Sequence, residues 1–374
     1  MGRMVIGSGW HPRLFREEAE KIHGAYNAIH PRILEIPSPR KTETSCSLTS
    51  ITLKSAVKLP LKKTNLTRSL HRWAATTDIE GSFAVRSMKL GTGIAGISGK
   101  HLEKLIGQEF FQRGYKVDLE NPDTIIRVII SGAPDRPQHK DTMAPAKVLV
   151  TGIEEKASLN HMQNSMTSMP FFKPVTLDPA LAGVLISLAY KNGDPPSSIV
   201  DPFCGTGCIA IQARNRGIPT YSSDSDPTMV EGANRNFSHA FGDDQDNYKF
   251  QLSDVSGIAG IWGEKSNTAF VFDPPYARNS KISNDAFEVF ASACHAAKRM
   301  DPQGTIVTIL PSPETGLLDH LKISKRTNVM GVEWGYIHQK LEEIGWGIEL
   351  AIPTRVHKSL VRIIIRATAI SDQE

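Results

Sequence analysis

Apolar positions along this chain follow two different rhythms, and the change of rhythm divides it in two. In the first part, residues 13–28 carry a helical period limited by Pro12 and Gly24. Residues 38–52 are rich in Ser and Thr without a hydrophobic period, and predict a loop or poorly ordered insert. Residues 82–88 alternate in the manner of a half-buried strand. Leu102, Leu105, Ile106 and Phe110 fall at helical spacing within 101–114, where Gly114 is a natural stop. Residues 123–131 and 147–153 predict further strands, joined by the Pro-rich stretch 132–145. The expectation for 1–155 is an α+β region without internal repeats.

Residues 156–176 hold Ser, Met, Asn and Pro with little period, and are read as a linker between domains. Beyond it, Leu177, Ala180, Leu181, Val184, Leu185, Leu188 and Ala189 make the stripe of an amphipathic helix. Predicted strands at 198–203, 220–224, 249–252, 269–273 and 305–310 then interleave with helices starting at Gly207 and Pro227 and a helix over 285–299. That interleaving predicts an α/β fold with a parallel, doubly wound sheet over 177–374. A helix at 337–344 and strands at 347–352 and 360–366 predict an antiparallel edge pair, which brings the sheet to seven strands.

Composition narrows the class. Of 374 residues, 40% are hydrophobic and 22% charged, which is globular and excludes a collagen, a coiled coil or a disordered tail. Apolar runs such as 363–365 are far shorter than the roughly 20 residues of a membrane span. No apolar stretch with a small-residue cleavage site stands at the start, so the expected location is the cytoplasm, with no membrane partner. Cys46, Cys204, Cys208 and Cys294 are too scattered for a disulfide framework, which fits a reducing compartment. Cys204 and Cys208 look like half of a zinc site, but no second Cys or His pair has suitable spacing. No metal is expected, and the two thiols read as small packed residues.

Charge becomes informative once it is divided. Residues 1–80 hold 13 Lys and Arg against 7 acids, whereas the remaining 294 hold 30 against 32. Between 38 and 73 stand Arg40, Lys41, Lys54, Lys58, Lys62, Lys63, Arg68 and Arg72, with Glu43 as the one acid. Such a block either attracts a polyanion or forms a solvated basic surface.

Two loops carry chemistry. In Asp201-Pro-Phe-Cys-Gly-Thr-Gly207, a buried strand ends on an acid and a turn with two glycines leads into a helix. Gly205 and Gly207 let the backbone approach a ligand, and the helix N-terminus faces it. The third glycine of the dinucleotide fingerprint is missing, and an acid here would repel a pyrophosphate. The same acid suits the amino group of S-adenosylmethionine. Asp224 closes the next strand, where a carboxylate can accept both ribose hydroxyls. Asp254 closes the third, where it can accept from an adenine amino group, and Asp226 before Pro227 reads as a helix cap.

The second loop is Asp273-Pro-Pro-Tyr276. An exocyclic amine on a nucleobase is a poor nucleophile because its lone pair is delocalised into the ring. The Asp273 carboxylate and the Pro274 carbonyl can accept its two hydrogens and aim the lone pair at a sulfonium methyl. Pro274 and Pro275 stiffen the turn, and Tyr276 can stack on the base.

These two loops resemble the class I, Rossmann-like methyltransferases that act on exocyclic amines of nucleic-acid bases. Three further stretches, Pro170-Phe-Phe-Lys-Pro174, Ser223-Asp-Ser-Asp-Pro-Thr-Met-Val-Glu-Gly-Ala233 and Val356-His-Lys-Ser-Leu-Val-Arg362, resemble the tRNA guanine-N2 methyltransferases that carry a THUMP domain. The likeness is closest to the archaeal type that modifies guanosine 10. Residues 66–69, 82–86 and 117–127 look like that family's THUMP region. The chain departs from the family in Ala277, where glycine is usual, and in a linker over 161–169 without Lys or Arg.

The resemblance implies a ferredoxin-like module plus a THUMP domain (about 60–153) within 1–155, and a methyltransferase domain over 177–374. It implies S-adenosylmethionine on Asp201, Phe203, Gly205, Gly207, Asp224, Ser225, Asp254 and Thr176, and tRNA on Lys62, Lys63, Arg68, Arg72, Arg86 and Lys173. It implies one or two methyl groups placed on guanosine N2 by Asp273, Pro274, Pro275 and Tyr276. Another tRNA position, a DNA adenine-N6 methyltransferase and a non-catalytic tRNA-binding THUMP protein stay open as alternatives, as does a small activating subunit.

Overall fold

A computed structural model describes residues 2–37, 46–132, 143, 147–155, 165–174, 176–242, 247–275, 283–317, 322–357 and 360–370. The chain divides into two compact units, Met1–Ser158 and Leu159–Glu374.

The first unit runs β1 (Gly2–Gly7), α1 (Pro12–His23), β2 (Asn27–His30), β3 (Ile33–Ile36), β4 (Thr49–Leu59), α2 (Lys63–Thr76), β5 (Phe83–Leu90), α3 (Gly99–Gln112), β6 (Thr124–Ser131) and β7 (Val148–Glu155). All seven strands form one sheet in the order β2-β3-β1-β4-β7-β6-β5. The strand β4 is 11 residues long and pairs with β1 on one side and β7 on the other, which joins two apolar clusters along one sheet. Met4, Ile6, Ile33, Ile51 and Leu53 make one cluster. Leu66, Leu70 and Trp73 of α2 and Leu102, Ile106 and Phe110 of α3 make the other.

Two sequence expectations are corrected here. The helix expected over 13–28 stops at His23, because Gly24 turns the chain at φ 78° into β2. The insert expected over 38–52 is already strand from Thr49 onward, while residues 38–45 lie outside the described residues. Its Ser and Thr alternate with Ile51 and Leu53, and cross-strand pairing overrides their turn preference. The strand β1 has no counterpart in the sequence reading.

The second unit runs α4 (Pro179–Leu188), β8 (Ser198–Asp201), α5 (Cys208–Arg214), β9 (Thr220–Asp224), α6 (Pro227–Phe241), β10 (Tyr248–Leu252), α7 (Ile258–Trp262), β11 (Thr268–Phe272), α8 (Ser283–Met300), β12 (Thr305–Ser312), β13 (Asn328–Val329), β14 (Val332–Glu333), α9 (Trp334–Ile344), β15 (Trp346–His357) and β16 (Leu360–Ala369). Its main sheet has the order β10-β9-β8-β11-β12-β16-β15. The first five of these strands are parallel, and β16 lies antiparallel between β12 and β15.

One face of the C-terminal half is packed by Phe287, Phe290 and Met300 of α8 and by Trp334, Ile337 and Leu341 of α9. Trp346 is fully buried there and donates its indole N–H to the Cys294 carbonyl at 3.0 Å. The strand order reverses between β8 and β11, and in open α/β sheets such a reversal opens a crevice beyond the strand C-termini. The residues at those two ends are Asp201 and Asp273. No helix among the described residues is long and apolar enough to cross a membrane.

Candidate active site

The crevice is a cavity of about 820 Å³, within the range that takes small-molecule cofactors. Its walls come from the ends of five strands. Asp201 ends β8, and Phe203 and Gly205 follow it; Asp224 ends β9, and Ser225 follows it; Asp254 follows β10; Asp273, Pro274 and Pro275 follow β11; Arg362 comes from β16. Lys173 and Thr176, ahead of α4, close another side.

Asp201 is 1% exposed, and its carboxylate accepts the Phe203 N–H at 3.1 Å. Burial raises its pKa well above the ordinary carboxylate range, and the charges of Asp224 and Asp273 add to the rise. The turn beyond it depends on glycine at two positions. Gly205 has φ +50° and Gly207 φ +85°, a region that side chains other than glycine rarely occupy. Gly205 lines the cavity, whereas Gly207 is not among the lining residues. A Cβ at Gly207 would lie 3.1 Å from the Ala233 side chain of α6, so its place in the sequence motif reflects close packing of two helices.

Asp224 holds this turn. Its Oδ2 accepts from the Gly205 N–H at 3.0 Å and its Oδ1 from the Asp226 N–H at 3.0 Å. Asp226 caps α6 by accepting from Thr228 N–H at 2.8 Å, as the sequence reading expected. Asp254 caps the turn after β10 and accepts from Ser256 N–H at 2.9 Å. That backbone bond lowers its pKa, which keeps an exposed carboxylate charged beside the cavity. Burial raises the Cys204 and Cys208 thiols, so both stay protonated, and no group of metal-ligating side chains gathers among the described residues.

The segment before α4 is pinned by a device the sequence reading missed. Asn236 on α6 accepts from the Phe171 N–H at 2.8 Å and donates to the Phe171 carbonyl at 2.7 Å and the Thr206 carbonyl at 3.0 Å. The Phe171 ring lies over Gly232, and the cations of Lys173 and Arg235 stand 5.3 and 5.9 Å from its centre. Lys173 therefore borders the cavity. The Thr176 N–H donates to the Lys173 carbonyl at 2.9 Å and closes the turn between them.

The other residues proposed for RNA belong to the first unit. Lys62, Lys63, Arg68 and Arg72 are exposed at the start and on the outer face of α2, and none has an ion-pair partner among the described residues. Arg86 is exposed but donates to the Leu119 carbonyl at 2.9 Å, so part of its role is to hold the loop after α3. Tyr276 lies outside the described residues. Arg362, Val289 and Met229 line the cavity without having been proposed from sequence. For Arg362 a signal existed, since Arg362 and Arg366 are charged residues in a mainly apolar strand.

Five carboxylates and two cations thus face one crevice, a setting that favours a cationic ligand carrying one anionic group. Residues 167–341 match the family described as RMKL-like, methyltransferase domain. This stretch is a methyltransferase domain. The tRNA (guanine(10)-N2)-dimethyltransferase of Pyrococcus abyssi is 29% identical over 217 residues, which are 58% of this chain and 59% of the relative. The enzyme of the same name from Methanothermobacter thermautotrophicus is 32% identical over 217 residues, covering 56% of each chain. The match thus spans less than two thirds of either relative.

The crystal structure of TrmN from Thermus thermophilus superposes with a TM-score of 0.52 at 17% identity, covering 99% of this chain and 100% of that one. With the strand order above, this identifies the fold of the methyltransferase domain as class I, Rossmann-like.

Proposed function

We propose that the protein transfers a methyl group from S-adenosylmethionine to the exocyclic N2 amine of a guanosine in tRNA, at position 10, once or twice. One observation carries the reading: Asp201, Gly205, Asp224, Asp254, Asp273 and Pro274 line a single cavity at the strand reversal. The residues fit the cofactor. Asp201 would pair with its ammonium, Asp224 accept from its ribose hydroxyls, and Asp254 accept from its adenine amine. Lys173 would face its carboxylate. When bound, the cofactor supplies an electrophilic methyl on a sulfonium.

The chain's own residues do the rest by positioning. Asp273 and the Pro274 carbonyl accept the two amine hydrogens and turn the lone pair out of conjugation. Pro274 and Pro275 hold that turn stiff, and the Tyr276 ring stacks on the base. The amine proton becomes acidic only after the methyl has transferred, so Asp273 acts as an acceptor in the transition state and needs no raised basicity.

The first unit supplies a basic surface through Lys62, Lys63, Arg68 and Arg72, and we read it as a ferredoxin-like and THUMP region that grips tRNA in the cytoplasm. The relatives named above support both the substrate and the position. The test is to incubate the protein with labelled S-adenosylmethionine and bulk unmodified tRNA, then to identify and map the nucleoside. Label in N2-methyl- or N2,N2-dimethylguanosine at position 10 is expected. Label at another position, in adenine of DNA, or nowhere overturns the reading.

A further inference from the structure

We propose that Arg362 is the phosphate anchor of the substrate: its guanidinium takes a backbone phosphate of the RNA beside the target nucleotide. The inference rests on the methyl-transfer reading above and deepens it. Arg362 and Arg366 stand four residues apart on β16 with the same facing, opposite to Val361, Ile363 and Ile365, which pack into the apolar cluster. Arg366 is a structural residue, since its Nε donates to the Leu188 carbonyl at 2.8 Å and its guanidinium pairs with Glu349. Arg362 is different. Its Nε is buried without a hydrogen-bond partner among the described residues, and the side chain lines the cavity. Leaving a buried guanidinium N–H unmatched is unfavourable, so such a group on a cavity wall points to an anionic ligand.

The sheet decides which anion. The cofactor acids follow β8, β9 and β10, on one side of β11, while β16 lies two strands beyond β11 on the other side. At about 4.8 Å per strand, the β16 backbone stands roughly 10 Å from that of Asp273, on the side away from the cofactor acids. A base that offers its amine to Asp273 with its sugar turned away from the cofactor would bring its phosphate toward this strand. Lys173, on the cofactor side, is the cation left for the cofactor's carboxylate.

The test compares wild type, Arg362→Gln and Arg362→Lys as full chains. Cofactor affinity is read by calorimetry without RNA. Affinity for an unmodified tRNA transcript is read with S-adenosylhomocysteine bound, across a salt series. KM and kcat for the transcript are read separately. For Arg362→Gln we expect cofactor affinity within twofold, KM for tRNA raised about tenfold or more, and kcat within threefold. The slope of log affinity against log salt should fall by about 0.7–0.9, the value of one phosphate contact. Arg362→Lys should keep the slope, with KM raised severalfold but less than in Arg362→Gln.

A slope and KM unchanged in Arg362→Gln overturn the proposal. So does a cofactor affinity that falls while the slope stays, since Arg362 would then serve the cofactor. If Arg362→Gln does not fold, Arg362→Lys decides, and a wild-type slope with tRNA affinity lowered severalfold supports the anchor, while a lowered slope or unaltered affinity overturns it. The salt series needs no turnover, so a failure of the methylation reading would show as a wild type that binds transcript without modifying it, separately from any effect at Arg362.

Discussion

The carboxylate of Asp224, at the end of β9, receives the backbone N–H of Gly205, in the turn after β8, at 3.0 Å. One residue thereby closes the strand next to the glycine turn and sets the conformation of that turn. Asp224→Ala is expected to lower affinity for S-adenosylmethionine through lost ribose bonds and a relaxed turn together. Bonds to a charged acceptor contribute about 1.5–3 kcal/mol each, so a loss of roughly tenfold or more is expected. Calorimetry giving an unchanged affinity would remove Asp224 from the site.

Asp201 is held in the protein at an energetic cost. A carboxyl whose folded-state pKa is raised destabilises the fold once the pH rises above the ordinary carboxylate range, and fully so above its raised value. Asp201→Asn should therefore raise the melting temperature of the ligand-free protein at neutral pH by a few degrees. The same variant should lose the thermal shift given by S-adenosylmethionine. In wild type, an ammonium arriving at Asp201 should lower its pKa again, so binding below the raised value should release a proton. Calorimetry in two buffers of different ionisation enthalpy reads that proton directly.

Gly232→Ala tests how the segment before α4 is seated. In a helix interior this change usually stabilises by up to about 1 kcal/mol. Here the new methyl would fall within the Phe171 ring. The variant should lose about 1–3 kcal/mol of stability and bind cofactor more weakly, as Lys173 and Thr176 shift. Phe171→Ala in the same chain should cancel most of the Gly232→Ala penalty, and an additive double mutant would show that the two positions are independent.

Asp273→Ala should lower single-turnover methylation of tRNA by orders of magnitude while both affinities stay within a few-fold. Asp273→Asn should also be poor, since the amide brings donors to a site whose partner already donates. Tyr276→Phe should be mild and Tyr276→Ala severe, because stacking requires the ring alone. Near-normal rates for Asp273→Ala, or equal defects at Tyr276, would contradict these roles.

His23 makes the first unit sensitive to acid. Burial, aided by the charge of Arg3, lowers its pKa from 6.5 to about 4. The unfolded chain therefore takes up the proton first, and stability is intact above about pH 6.5 and declines between 6.5 and 4. Linkage puts the loss near pH 5 at about 2 kcal/mol. Thermal melts of wild type and His23→Gln at pH 7.5 and 5 should show a smaller acid-induced drop in the variant. Equal drops would assign the effect to other groups.

The local chemistry of the second unit was legible along the chain. Alternation of strand and helix, the two acid-terminated loops and the cap at Asp226 are short-range features, governed by backbone sterics and hydrophobic period. The observed β9 and the start of α6 coincide with their predicted positions. The first unit was harder to read, because β1 and the start of β4 are strands through pairing with segments remote in the chain, and the Ser and Thr of residues 47–52 locally favour a turn.

The site shows the same division. The alternation of strands and helices along the sequence already placed Asp201, Asp224, Asp254 and Asp273 at or just beyond strand ends. Only the tertiary structure decided that they share one cavity, that Gly207 packs against Ala233 while Gly205 faces the cavity, and that Asn236 seats Phe171 from 65 residues away. It also separated two arginines of one strand, Arg366 bonded to the Leu188 carbonyl and Arg362 lining the cavity. Such distinctions depend on contacts between segments remote in the chain, and a one-dimensional pattern of polar and apolar residues does not record which of them meet.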